Sequence, residues 1–150
     1  REEVTTEGGL DVIKHKNKLK EIIQLLSDED IPVSLFVDPV QAQLEKCAEV
    51  KAAWIELHTG KYAVTKNQER NLELSIIKES TAKAKSYGLR VNAGHGLTYQ
   101  NVEPIAAIEG IEELNIGHTI ISRALSVGLS QAVKEMKSLI INPRKDNFLL

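Results

Sequence analysis

Apolar positions along the chain fall into two alternating kinds of run. Leu19, Ile22, Ile23, Leu25 and Leu26 recur at spacings of three, four and seven, which marks one face of a helix ending near Ser27-Asp28-Glu29-Asp30. Pro32 then opens Val33-Ser34-Leu35-Phe36-Val37-Asp38, a short run rich in β-formers and bounded by turn residues, which reads as a strand. Asp38-Pro39 reads as an N-cap followed by proline at the first helical position, with a helix through Val40, Leu44, Cys47 and Ala48. A second strand and its loop span Ala52–Gly60, and Lys61-Tyr62-Ala63-Val64 reads as irregular. A long helix is expected from about Thr65 to Tyr87, with Leu72, Ile76, Ile77 and Ala84 on one side and Gly88 as a left-handed cap. The third strand is Leu89–Ala93. A helix begins at Thr98 or Asn101 and runs through Val102, Ile105 and Ile108, with Pro104 near its first turn. Glu113–Ile116 is the fourth strand. One last helix runs from about Thr119 to Ile141, stopped near Asn142-Pro143, and residues 142–150 read as a loosely ordered tail.

One helix followed by four βα units predicts an α/β fold with a parallel sheet. The sheet is either an open doubly wound one or half of a (β/α)₈ barrel, since a closed barrel takes about 250 residues. Strand parity favours the barrel. Val33, Leu35, Val37, Ile55, Leu57, Leu89, Val91, Ala93, Leu114 and Ile116 give one steadily aliphatic side, suited to helices. The opposite side carries Asp38, Glu56, His58, Asn92 and Asn115 near the strand ends. A sheet covered by helices on both faces should not hold polar groups repeatedly in one register, whereas a barrel interior opening at its rim does.

The polar ends carry the candidate chemistry. Asn92-Ala93-Gly94-His95-Gly96 and Asn115-Ile116-Gly117-His118 both read Asn-x-Gly-His after a short apolar run. A glycine turn ahead of a helix presents free amides and the positive end of the helix dipole, so both loops suit an oxyanion, and Thr119 adds a hydroxyl. His95 is the expected proton donor, because a rim histidine titrates near neutral pH. Glu56 and His58, on one strand face, form either an acid–base pair or a carboxylate that steadies a developing cation. Glu56, His58, His95 and His118 are residue types that bind metals, but no local ligand spacing supports a metal site, and none is expected. Gly8-Gly9, in the polar stretch Val4–Asp11, reads as a helix-entry loop or an anion-approaching turn. His15 reads as a solvated helix residue.

Composition narrows the partners. The 150 residues carry a formal net charge of −2, with 42% hydrophobic and 27% charged residues, which argues for one globular domain and against nucleic acid or an anionic membrane surface. No run is long and apolar enough to cross a bilayer. The single cysteine, Cys47, excludes an intrachain disulfide and reads as a buried inert thiol. The chain does not start with Met, and Arg1-Glu2-Glu3-Val4 resembles the interior of a protein, so any targeting signal would lie upstream. A cytoplasmic location is the expectation.

Val4-Thr5-Thr6-Glu7-Gly8-Gly9-Leu10-Asp11, Val33–Asp38, Ile55-Glu56-Leu57-His58-Thr59-Gly60, Val91–Thr98 and Leu114–His118 together resemble the pyridoxine 5′-phosphate synthase family, in order and spacing from Arg1 to about Ile141. The resemblance implies a bacterial (β/α)₈ barrel assembled as a homo-oligomer. Its implied reaction condenses 1-deoxy-D-xylulose 5-phosphate with 3-amino-2-oxopropyl phosphate to pyridoxine 5′-phosphate, phosphate and water, without metal or organic cofactor. By position, His95 matches the family's proton donor and Glu56 its transition-state stabiliser. Gly96, Gly117 and His118 match contacts to the aminoketone phosphate, and Thr5 a contact to the deoxyxylulose phosphate. The family's N-terminal half supplies the first strands, a histidine and a glutamate that accept protons, and phosphate-binding arginines; none of these is present. The resemblance therefore implies that residues 1–150 are the C-terminal half of one barrel domain, strands 5 to 8 preceded by one helix, inactive without the other half. Two other readings compete: a different phosphate-binding barrel enzyme, and a non-catalytic half-barrel that serves as an interaction module.

Overall fold

The computed structural model describes residues 8–143. Thr5 and residues 144–150 of the expected tail lie outside them. Helix α1 (Val12–Asp28) begins where the Asp11 carboxylate accepts the Lys14 amide at 3.0 Å, and it buries Val12 and Ile23. Strand β1 (Ser34–Val37) leads to α2 (Gln41–Glu49), β2 (Trp54–His58), α3 (Gly60–Val64), α4 (Asn67–Ser86) and β3 (Arg90–Gly94). Then come α5 (Val102–Ala106), β4 (Ile111–Asn115), α6 (His118–Val127) and α7 (Leu129–Ile141).

All strand pairs are parallel and the sheet order is β1-β2-β3-β4. A doubly wound sheet reverses its strand order at a switch point; here each strand pairs with its successor throughout. The helices cover one face. Leu35, Val37, Ile55, Leu57, Val91 and Ala93 are buried there, while Phe36, Trp54 and Glu56 on the opposite face stay half-buried. Sequential order and one-sided cover are the arrangement of half a (β/α)₈ barrel, consistent with its C-terminal half. The expected parity stands, with one irregularity: the register shifts between Val91 and Asn92, so Asn92 pairs with Glu113 and Gly94 with Asn115.

Four local expectations need correction. Asp38 does not cap the next helix, whose N-cap is Val40; its carboxylate is engaged by His58 and by the Gly9 amide at 3.3 Å. Lys61–Val64 is the helix α3 rather than irregular chain, anchored by the fully buried Tyr62. Leu72 is 60% exposed; α4 instead buries Glu73, Ile77, Ser80, Thr81 and Ala84, and the Glu73 carboxylate accepts Lys61 Nζ at 2.5 Å. The last helix is two, because Gly128 (φ 81°, ψ 152°) breaks it, and Arg123 on α6 then pairs with Glu135 on α7. Gly88 is the left-handed cap expected, with φ 82°. The Leu89 amide reaches Ala84 O and the Gly88 amide Lys85 O, the paired bonds that close a helix end and turn it into β3.

Candidate functional site

Glu56, near the C-terminal end of β2, points to the uncovered face of the sheet. Its Oε2 accepts Asn115 Nδ2, from the end of β4, at 2.7 Å. The two side chains meet across β3 because Gly94 lies between them. A Cβ at that position would overlap the Glu56 carboxylate and stand 2.9 Å from Asn115 O. Burial pushes the Glu56 carboxyl above its ordinary 4.5, and Glu113 adds to this; the Asn115 bond, His95 and His58 oppose it.

His95 follows Gly94 in the loop after β3, with φ 82°. A left-handed backbone at a non-glycine residue costs on the order of 1 to 3 kcal/mol and persists only where neighbours enforce it. The ring stands edge-on to His58, centroids 4.9 Å apart, and Phe36 contacts both rings. His58 itself is held by Asp38, Nδ1 to Oδ1 at 2.8 Å. Its buried Nε2 and Asn92 Oδ1 have no hydrogen-bond partner among the described residues. In the tautomer that carries its proton on Nδ1, His58 donates to Asp38 and leaves Nε2 as an acceptor. The expected Glu56–His58 pairing is not a direct one: each binds a different partner, Asn115 and Asp38.

Gly117 is the N-cap of the ten-residue α6 and offers no side chain to its amides. The first turn holds no acidic residue, so among the described residues the helix opens with N–H groups that no side chain caps and a positive dipole end that its own first turn does not compensate. The matching turn at Gly94–Gly96 differs, since α5 starts only at Val102. Asn101 is its N-cap without a side-chain capping bond; the Asn101 side chain ties the loop instead, accepting the Thr98 amide at 2.7 Å and donating to Gly96 O at 3.2 Å.

One open cleft of about 770 Å³ brings together Glu56, His95, Gly96, Asn115, Gly117 and His118, with Phe36, Thr119 and Ser122 also in its wall. Thr5 is outside the described residues. His58 and Asp38 line a second cavity, of about 680 Å³, which among the described residues shares only His95 with the first. Neither the Asp38–His58 pair nor the hydrogen bond that the Tyr62 hydroxyl donates to Asn101 O was legible from spacing, since each joins residues from separate βα units. Phe36 is foreshadowed only by its parity with Asp38. Among the described residues no three His, Cys, Asp or Glu side chains converge as a metal-binding group, and no helix is long and apolar enough to cross a membrane.

The arrangement offers a carboxyl of raised pKa, a histidine within the same cleft and a helix N-terminus open to an anion. The family model described as Pyridoxal phosphate biosynthesis protein PdxJ matches residues 1–142. The chain is 93% identical over 150 residues to "Pyridoxine 5'-phosphate synthase" of Prochlorococcus marinus (strain NATL1A), covering all of this chain and 61% of that protein. It is 63% identical over 146 residues to the protein of the same name from Synechococcus sp. (strain WH7803), covering 97% of this chain and 59% of that relative. The chain thus spans about three-fifths of the length of the curated relatives it matches. With the family model matching nearly the whole chain, this α/β chain belongs to the PdxJ family of pyridoxal phosphate biosynthesis.

Proposed function

We propose that residues 1–150 are the C-terminal half of a single (β/α)₈ barrel domain in a pyridoxine 5′-phosphate synthase. The complete enzyme joins 1-deoxy-D-xylulose 5-phosphate to 3-amino-2-oxopropyl phosphate, giving pyridoxine 5′-phosphate, phosphate and water. It works as a cytoplasmic homo-oligomer, and this half is inactive without the N-terminal half. The observation that carries the reading is the convergence of Glu56, His95, Gly117 and His118 on one cleft at the C-terminal ends of the strands, where barrel enzymes do their chemistry.

In this reading His95 donates a proton to an oxygen leaving as water during the dehydrations that follow addition of the amine to the ketone. Glu56 is placed to stabilise the positive charge that develops as the imine forms, its orientation set by Asn115. The amides of Gly117 and His118, at the start of α6, bind the aminoketone phosphate, and Gly96 lets the backbone approach the same group. Thr5 contacts the deoxyxylulose phosphate. The test is to express the full-length protein, supply both phosphorylated substrates and measure pyridoxine 5′-phosphate. Product is expected from the wild type, with about 10²-fold less from His95→Asn and none from residues 1–150 alone. A wild-type protein that makes no product, or a His95→Asn variant of undiminished turnover, overturns the reading.

A further inference from the structure

We infer that Thr59 is the positioning residue of His95, acting through the backbone of the loop after β3; this rests on the proposed role of His95. Thr59 is the N-cap of α3 and completely buried. A threonine at such a position ordinarily turns its hydroxyl onto the first amides of its own helix. Here it makes no capping bond. Its Oγ1 lies 2.7 Å from Gly94 O and 2.6 Å from His95 O, so one hydroxyl proton is shared between the carbonyls on either side of the His95 Cα. The Thr59 amide also donates to Gly94 O at 2.8 Å.

The rest of α3 completes the clamp. A Cβ on Gly96 would stand 2.6 Å from Ala63 Cβ, so α3 lies flat against the residue following His95. The buried Tyr62 hydroxyl donates to Asn101 O at 2.7 Å, and the Asn101 side chain binds the Thr98 amide and Gly96 O. The loop is thus fixed on both sides of a histidine whose φ of 82° it would not hold unaided. Of these contacts, only the Thr59 hydroxyl touches the carbonyl of His95 itself. Loss of that contact lets the 95–96 peptide rotate and moves the imidazole relative to the cleft. A displacement of about 1 Å in a reacting group costs up to about 100-fold in rate.

The test uses the full-length protein with Thr59→Val, which keeps the shape and removes the hydroxyl, and Thr59→Ser, which keeps the hydroxyl. Thr59→Val is expected to lower kcat by about 10- to 100-fold with KM within about threefold of wild type, and to speed amide hydrogen exchange at Gly96 and Leu97. Thr59→Ser should restore both. In a His95→Asn background Thr59→Val should lower kcat no further, because residues acting as a unit are not additive. Should Thr59→Val not fold, Tyr62→Phe, which slackens the second support, is expected to shift kcat and exchange in the same direction by a smaller factor. An unchanged kcat, a kcat loss without faster exchange, or equal losses in the Val and Ser variants overturns the inference. If the wild type makes no pyridoxine 5′-phosphate, the reaction is misassigned, and the exchange measurement alone decides whether Thr59 holds the loop.

Discussion

On the role proposed for Glu56, its replacement by Gln should slow the full-length enzyme and make the fold more stable at once. The carboxyl is half-buried and its pKa is raised above 4.5, chiefly by burial. A raised folded-state pKa means that the folded chain holds the proton more tightly than the unfolded one. Stability from this group is therefore greatest below the unfolded value and falls as pH rises through the folded value. At pH 7 the penalty of a desolvated carboxylate is present, and Gln removes it while its amide oxygen still accepts Asn115 Nδ2. The charge-assisted bond at 2.7 Å, partly open to solvent, is worth about 1.5 kcal/mol, the low end for such bonds. Its neutral replacement is worth about half of that. Asn115→Ala should accordingly cost about 1.5 kcal/mol in the wild type but about 0.7 kcal/mol in the Gln variant. Turnover should fall about 100-fold, or roughly 2.7 kcal/mol of transition-state stabilisation. Thermal melts of the full-length protein at pH 4 and pH 7, with steady-state kinetics, read all of this. The Gln variant should melt higher at pH 7, and the gap should shrink toward pH 4. A lower melting point at pH 7 refutes the desolvation argument, and turnover within threefold of wild type refutes the catalytic one.

Gly94→Ala should destabilise the protein by about 1 to 3 kcal/mol in denaturant unfolding, because the new methyl meets the Glu56 carboxylate and the Asn115 backbone. It should lower turnover together with stability, whereas Glu56→Gln separates the two. The Cys47 thiol is buried and pushed up to about 12 by that burial, so it should resist a thiol reagent at pH 8 in the native protein and react on unfolding.

The sheet and its two chemical faces were readable because alternation in a barrel strand is imposed from both sides, helices on one and the rim chemistry on the other. Val37 beside Asp38 and Leu57 beside His58 carry that signal in the plainest form. The misreadings share a different cause. At Asp38-Pro39 the local capping signal was sound, but His58 lies twenty residues on and takes the same carboxylate. Helix α3 has five residues, too few for a period to show, and it exists because Tyr62 is anchored from a distant loop. Gly128 sits within a continuous apolar stripe, so the period carried across the break that its backbone makes. The candidate site followed the same division. His95, Glu56 and the Gly117–His118 turn announced themselves by residue type at strand ends, whereas Thr59 and Asn101 look like ordinary loop residues until their partners are known.

The bond between Glu56 and Asn115 joins strands that are not neighbours. Adjacent strands lie about 4.8 Å apart, so β2 and β4 are separated by about twice that, with Gly94 beneath the gap. Two side chains bridge such a span at 2.7 Å when the sheet curves toward them. The bond is therefore a gauge of curvature: flattening the sheet draws Asn115 away and removes the largest of the three influences that oppose the rise in the carboxyl's pKa, those of Asn115, His95 and His58. Acidity at this position is tied to the bend of the whole sheet, so a substitution far from the cleft that relaxes the bend is registered in the protonation of a single side chain.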